Sequence, residues 1–440
     1  MSNSITNNKN SNLDESKYSM DTHIIYGKAV TNKWDYAHHV TAPISSSTTF
    51  RLDSVERGAQ GFMQFANTEG EGDKSPIFIY DRLGEPNKDM LEENLAYVEK
   101  GEMAVSFSTG MGAISAALGV LAKSGDEIIA HHTLYGCTFS LLTNWYPRYN
   151  IKVNQVDLTN VKNLNDAVTE KTRVIYFETP ANPNLEIVDL KAVVSAVGEL
   201  NKNRKPEEKI YTVVDNTFAT PFCQRPIEYG IDFVIHSLTK GIGGFGTDMG
   251  GVVIGPKKFR DLILLFRKDF GAVLNTKSAW AILTYGLPTL GLRQRHQIAS
   301  AMKIAEYLDA HPKIAYVNYP GLPSFKFHEI AKKQMLDFNG KFAPGSLIFF
   351  GLKGNAASEN KENGKKFMDF VADHSYTMTL AVSLGHTRTL IEHPASMTHS
   401  AIPAEKLFDH GIDPGGVRLA IGLENPDDIL TDLEEALRII

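Results

Sequence analysis

An α/β fold built on a mostly parallel sheet, followed by a smaller α+β part, is what this 440-residue chain predicts. Three observations carry that expectation. Short apolar, β-branched runs alternate with helical stretches from Ile77 onward, the pattern of a parallel sheet covered on both faces. Two neighbouring runs, IYTVV leading into Asp215 and DFVIHSLTK ending at Lys240, stop at polar residues. Buried strands read this way when chemistry sits at their carboxyl ends. Around Ser278 the rhythm gives way to a long amphipathic stretch and less regularly spaced strands.

Residues 1–20 are polar and rich in Asn and Ser and read as a disordered tail without the apolar core of a signal peptide. Residues 21–76 read as an N-terminal arm contacting a neighbouring subunit. Within it, 21–53 shows little periodicity and 66–76 is a Gly-rich polar loop. Residues 77–277 form the large α/β part. A helix over 87–99 precedes the strand MAVSF and a helix opening at TGMG. The strand EIIAHH, a helical CTFSLLTNWY, the strand IKVNQVD, a helix near 161–168, the strand RVIYFET and a helix near 190–200 follow. GGVVIG at 250–255 reads as an antiparallel edge strand. Residues 278–440 hold a long helix kinked at Pro288, the strands SLIFFGL, MTLAVSLG and VRLAIGL, and helices near 363–372 and 428–440.

Composition narrows the function classes. With 51 acidic and 45 basic residues the net charge of −6 provides no basic field for nucleic acid or anionic membrane. No apolar run approaches the roughly 20 residues of a membrane span. Two cysteines, Cys137 and Cys223, are too few for a disulfide framework and fit a reducing cytoplasm. No metal-ligand spacing stands out.

The chemistry-bearing residues lie at strand ends. A desolvated lysine such as Lys240 forms a Schiff base with a carbonyl cofactor. An aspartate such as Asp215 keeps a pyridine nitrogen protonated, and the hydroxyls of Ser237 and Thr239 bind phosphate. Together these are the parts of a pyridoxal 5'-phosphate (PLP) site, although a solvated Asp and Lys at strand ends compete as an explanation. Gly110 and Met111 at a helix N-terminus offer an anion site, or an ordinary tight turn. Tyr135 is placed to stack on a flat cofactor or to pack in the core. Asn182, in FETPANPN, offers an amide to a ring oxygen or serves the turn. Arg418, if buried, needs an internal acid or a carboxylate ligand. GIGGFG after Lys240 does not match a phosphate loop and reads as a flexible turn.

The order of YDRLGEP, FSTGMGAI, TLYGCTFSLL, VIYFETPANPN, VVDNTFATP, HSLTK, VSLGHTRTLIEHPASMTH and GVRLAIGLE resembles that of the Cys/Met-metabolism PLP-dependent enzymes. That family includes cystathionine γ-synthase, cystathionine γ-lyase, O-acetylhomoserine sulfhydrylase and methionine γ-lyase. TLYGCTF and the pair Lys268–Asp269 look most like the methionine γ-lyase branch. The resemblance implies an aspartate-aminotransferase-like (type I) fold and a cytoplasmic homotetramer built from catalytic dimers. It implies that Lys240 holds PLP and shuttles protons, that Asp215 pairs with the ring nitrogen, and that Tyr135 stacks on the ring. Gly110, Met111, Ser237 and Thr239 would bind phosphate, with Tyr80 and Arg82 reaching the adjacent subunit's phosphate. Asn182 would meet the ring oxygen, Ser383 and Arg418 the substrate carboxylate, and Cys137, Lys268 and Asp269 the substrate side chain. The implied reaction is γ-elimination of a sulfur amino acid, L-methionine giving methanethiol, ammonia and 2-oxobutanoate. γ-Replacement on an activated homoserine, or cystathionine cleavage, is the alternative. GIGGFG departs from the family's tyrosine and Gly-His-Gly and implies a looser backbone near Lys240. YDRLGEPN, Ser45 and the loop 70–74 also depart from the pattern.

Overall fold

The computed structural model describes residues 17–26, 39–65, 77–354, 357–399 and 406–440. Most of the expected tail, part of the arm, and the Gly-rich loop 66–76 lie outside the described residues.

Seven strands make the larger sheet: β1 (Met103–Phe107), β2 (Glu127–His131), β3 (Lys152–Val156), β4 (Thr172–Glu178), β5 (Tyr211–Asp215), β6 (Phe233–Ser237) and β7 (Gly251–Gly255). They lie in the order β1-β7-β6-β5-β4-β2-β3, and only β7 runs antiparallel to its neighbours. Successive side chains of a strand point to opposite faces, and the buried residues divide accordingly. Val213 and Ile235 join Val105, Ile128 and Val253 in one core, whereas Val214 and Val234 join Ile129, Ile175 and Val252 in the other. The expectation of an edge position for GGVVIG is corrected. β7 is antiparallel, but it lies between β1 and β6, with β1 outermost. Its five residues are all buried, which suits an inner strand. A side chain at Gly251 would collide with the Thr109 carbonyl, 2.1 Å from the added carbon.

Two helices that flank the site are set by their first turns. Thr109 caps Gly110–Leu121 by accepting from the Gly112 N–H at 3.0 Å. Glu85 caps Pro86–Val98 by accepting from Asn87 and Lys88 N–H, with Pro86 at the first position. The YDRLGEPN segment is thus a helix start. At the start of 21–53, where the sequence shows little periodicity, a short helix spans Met20–Tyr26, and a further helix, Val55–Gln64, follows in the arm. Its extended stretch lies on its own chain, where Trp280 Nε1 donates to Ala42 O, Asn87 to Pro43 O, and Thr49 bridges Tyr80.

The second sheet has five strands: β8 (Ile314–Asn318), β9 (Leu347–Leu352), β10 (Met378–Leu380), β11 (Thr389–Glu392) and β12 (Gly416–Ala420), in the order β10-β11-β12-β9-β8. β8 and β11 were not expected. Helices Leu290–Ala310, Ala357–His374 and Pro426–Arg438 accompany it. The predicted kink is present. Helix Thr276–Ala281 continues as a wider turn over Ile282–Gly286 and restarts at Leu290, with Pro288 between.

The GIGGFG turn is corrected from flexible to fastened. Arg293 is buried and donates to the carbonyls of Gly241, Ile242 and Gly286 at 2.7, 3.2 and 2.7 Å. Gly243 N–H and Gly244 N–H bond back to Leu238 O and Lys240 O. Gly244 has φ +77°, and its missing side chain leaves room for the guanidinium. Replacing Arg293 by Met would leave three carbonyls without donors, at about 1–3 kcal/mol for each one that water fails to reach. We expect Arg293→Met to lower the urea midpoint clearly, and Arg295→Met, on the exposed side of the same helix, to leave it near wild type. Equal midpoints would show that the turn is held by something else.

Candidate active site

The carboxyl ends of β5 and β6 are stapled together by Thr217. Asp215, the last residue of β5, accepts from both the N–H and the hydroxyl of Thr217, and the same hydroxyl accepts from the Ser237 N–H at 2.8 Å. Burial raises the Asp215 carboxyl above its usual range, with Thr217 acting in the opposite direction. Among the described residues no cation hydrogen-bonds this carboxylate. Gly110 begins its helix directly over Ser237, so a side chain there would lie 2.9 Å from Ser237 Cβ. The N–H groups of a first helical turn, a serine hydroxyl and the helix dipole thus converge on one spot. Met111 follows on the same turn, and its sulfur accepts weakly from Thr138 Oγ1 at 4.0 Å. Thr239 is placed differently from a simple phosphate donor. Its hydroxyl bonds Gly250 O at 3.3 Å and accepts from Gly250 N–H at 3.1 Å.

Lys240 leaves the turn after β6 and donates from Nζ to Ser383 Oγ at 2.7 Å. Burial, then the nearby Arg418 charge, lower its pKa to about 8. Ser383 holds the left-handed region at φ +102°, a conformation that persists in a non-glycine residue only when its surroundings impose it. Two groups impose it here: Lys240 on its hydroxyl and Arg418 Nη2 on its carbonyl at 2.9 Å. Arg418, in the middle of β12, also donates from Nη1 to Asn182 Oδ1 at 2.9 Å and pairs with Glu392 at 3.0 Å. Glu392 stands opposite it in the β11–β12 register. Of the two explanations left open for Arg418, the internal acid is present, and among the described residues Arg418 Nε and Glu392 Oε2 have no hydrogen-bond partner.

Glu178, at the end of β4, accepts from Tyr135 N–H at 2.8 Å and from Asn182 N–H at 3.3 Å. Burial and the neighbouring Asp215 push its carboxyl well above the usual range. It fixes two site loops at once. Burial, and after it the neighbouring Cys137 thiol, raise the Tyr135 phenol above its usual range. Gly136 is pressed against Thr398 O, 2.1 Å from where a side chain would begin. Tyr80, Arg82, Lys268 and Asp269 form a second group. Arg82 lies against the Tyr80 ring and donates to Lys268 O at 2.9 Å, and Lys268 pairs with Asp269 at 3.2 Å. No hydrogen bond or ion pair joins them to Lys240, Asp215 or Arg418. Thr217, Glu178 and Glu392 escaped the sequence reading. Glu178 and Glu392 stand in the quoted FETPANPN and LIEHP motifs, and only the type of residue, an acid in a buried run, could have marked them.

A family model of Cys/Met-metabolism PLP-dependent enzymes matches residues 21–438. The chain belongs to that family. An L-methionine gamma-lyase of Fusobacterium nucleatum subsp. polymorphum is 42% identical over 430 residues, covering 97% of this chain and all of the relative. An L-methionine gamma-lyase of Porphyromonas gingivalis is 40% identical over 418 residues, 94% of this chain and 96% of the relative. A solved cystathionine gamma-lyase of Lactobacillus plantarum, complexed with L-serine, superposes with a TM-score of 0.81 at 31% identity over 96% of this chain and 99% of that one. This Cys/Met-family chain is accordingly a PLP-dependent enzyme with the α/β fold that its sequence predicted. The geometry fits the cofactor: a buried carboxylate without a cation, a glycine-floored helix start beside Ser237, and a lysine with a lowered pKa.

An amine attacks a carbonyl only when neutral, and a pKa of about 8 means that Lys240 loses its proton as pH rises through 8. The rate at which apo-protein regains its visible band on PLP addition is expected to rise with a midpoint near pH 8. A midpoint near the 10.5 of an ordinary lysine would contradict the desolvation described here.

Proposed function

We propose that the chain is an L-methionine γ-lyase, converting methionine to methanethiol, ammonia and 2-oxobutanoate. The observation that carries this reading is the match, over nearly the whole chain, to relatives named as L-methionine gamma-lyases at 42% and 40% identity. PLP, when bound, supplies an electron sink for negative charge developing at the substrate α-carbon.

The residues take the following roles in this reading. Asp215 would hold the ring nitrogen protonated, Asn182 would meet the ring oxygen, and Gly110, Met111 and Ser237 would surround the phosphate, with Thr239, its hydroxyl bonded to Gly250, beside them. Arg418, through its unused Nε, and Ser383 receive the substrate carboxylate. Lys240 Nζ, whose pKa is lowered to about 8 so that its neutral form is within reach near physiological pH, takes the α-proton. Tyr135 keeps its own proton because burial raises its pKa, so its hydroxyl protonates the departing sulfur. Cys137 shapes the side-chain pocket.

Tyr80, Arg82, Lys268 and Asp269 make no hydrogen bond or ion pair with Lys240 among the described residues, which supports their acting on the neighbouring subunit's site in a dimer-built homotetramer. The parts of the chain would then be the arm 21–76, the PLP-binding part 77–277 and the C-terminal part 278–440. Low cysteine content and the lack, among the described residues, of a helix long and apolar enough to cross a membrane support a cytoplasmic place.

The second reading is cystathionine cleavage, favoured by the solved cystathionine gamma-lyase, or γ-replacement on a homoserine ester, favoured by a solved putative O-acetylhomoserine (thiol)-lyase of Campylobacter jejuni. Incubation with methionine alone separates the two, because a replacing enzyme needs an acceptor thiol. PLP-loaded protein should release 2-oxobutanoate from L-methionine without added thiol, and Lys240→Ala should release none. Methionine left intact, with O-acetylhomoserine plus a thiol consumed, would overturn the lyase reading. Arg418→Ala should raise KM for methionine about 10- to 100-fold, the usual effect of losing a charged hydrogen bond.

A further inference from the structure

The Lys240–Ser383 hydrogen bond does not end at Ser383. On the far side of the hydroxyl, His386 Nε2 lies 3.4 Å from Ser383 Oγ. His386 is half-buried, so the three groups run from the buried amine toward solvent. The segment that carries His386 is held against the lysine by its backbone. Gly385, at φ +74°, packs so closely on Lys240 and Gly241 that a side chain would fall 2.4 Å from the Gly241 nitrogen. Gln297, from the helix Leu290–Ala310, donates to His386 O at 2.9 Å. Gly246 lies against the imidazole, and any side chain there would strike it at 2.5 Å. Ser383 itself sits in the left-handed conformation. Two close glycine approaches and the Gln297 hydrogen bond thus place one imidazole at the outer end of the amine's hydrogen bond.

We propose that His386 is the outer end of a proton path, Lys240 Nζ to Ser383 Oγ to His386 Nε2, through which the amine sheds and regains protons during turnover. The inference rests on the reading of Lys240 as the PLP lysine. In the outward direction an N–H of the Lys240 ammonium breaks as Ser383 Oγ takes that proton. The Ser383 O–H breaks as His386 Nε2 takes the other. The result is a neutral amine, an unchanged serine and an imidazolium, which then releases its proton to water. The return runs the same bonds in reverse. Burial and the facing Lys240 charge keep His386 below the usual histidine range, so it rests neutral with a lone pair free to accept. The charged groups facing Lys240 are Arg418, Glu392 and Cys137 when ionised, and Lys240 is the one that bears on His386. His386 acts through Ser383 and is a positioning and relay residue.

The test uses PLP-loaded protein and follows α-proton exchange of L-methionine and of L-alanine in D2O by NMR, a step that needs no elimination. His386→Ala and His386→Gln should keep the visible cofactor band, keep KM within about twofold, and lose about tenfold or more in exchange rate, the lower range for an acid–base group. Added imidazole should restore exchange in His386→Ala in proportion to its concentration, which a merely structural role would not produce. Exchange within twofold of wild type in both variants overturns the proposal. So does a loss that imidazole leaves unrepaired, or disappearance of the cofactor band in both variants, since His386 would then be holding the site together. Wild-type protein that exchanges α-protons but releases no 2-oxobutanoate refutes the methionine reading and leaves this test intact. Wild-type protein that exchanges neither amino acid overturns the relay along with the role given to Lys240.

Discussion

The two sheets meet at the guanidinium of Arg418, and most of the site hangs from that contact. Arg418 belongs to the smaller sheet, yet it reaches Asn182 at the exit of β4 in the larger one, and Ser383 and Glu392 on its own side. Through Ser383 it is one hydrogen bond from Lys240. A buried ion pair is weak evidence for stability, because desolvating two charges offsets much of their attraction. What such a pair fixes is geometry. Breaking it leaves a buried charge uncompensated, at about 3–5 kcal/mol, so the strand register that sets Glu392 opposite Arg418 is strongly specified. The cost of burying Arg418 is tolerated where an open N–H beside a lysine is useful.

A second constraint acts on the larger sheet. Parallel strands bring several carboxyl ends to one edge, and this chain uses three adjacent ones. β4 delivers Glu178, β5 Asp215 and β6 the turn to Lys240. Two buried carboxyls so close together raise each other's proton affinity, and the structure separates their tasks through hydrogen bonds. Glu178 spends its oxygens on two backbone N–H groups that hold Tyr135 and Asn182. Asp215 is held on one side by Thr217 and, among the described residues, hydrogen-bonds no cation. That asymmetry fits an acid that waits for a positively charged ring nitrogen. The turn after Lys240 is stiffened by Arg293.

Much of this was legible in the sequence. Strand ends, helix starts and the order of the motifs gave the parallel sheet, the separate C-terminal part and the family, because local patterns of period 2 and 3.6 and turn chemistry are short-range properties. Asp215, Lys240, Gly110 and Ser237 were found where their strands predicted them. GGVVIG was placed at an edge because alternation along a strand says nothing about which strand lies beside it. That choice depends on β1 returning to pair with β7 after nearly 150 residues of intervening chain. The GIGGFG turn looked loose for the same reason: its partner, Arg293, is some 50 residues away on a helix of no evident connection.

The sequence by itself determined which residue types stand at the ends of which strands, since hydrophobic pattern and turn residues are written locally. Only the tertiary structure decided which of them touch. It set Thr217 between Asp215 and Ser237, Glu392 opposite Arg418, and His386 behind Ser383, because sheet register and backbone-to-backbone packing place groups to within a hydrogen bond. It also set Arg82 against the Tyr80 ring and the Lys268 carbonyl. Linear order could not show that, because contact between distant residues is a property of the packed chain.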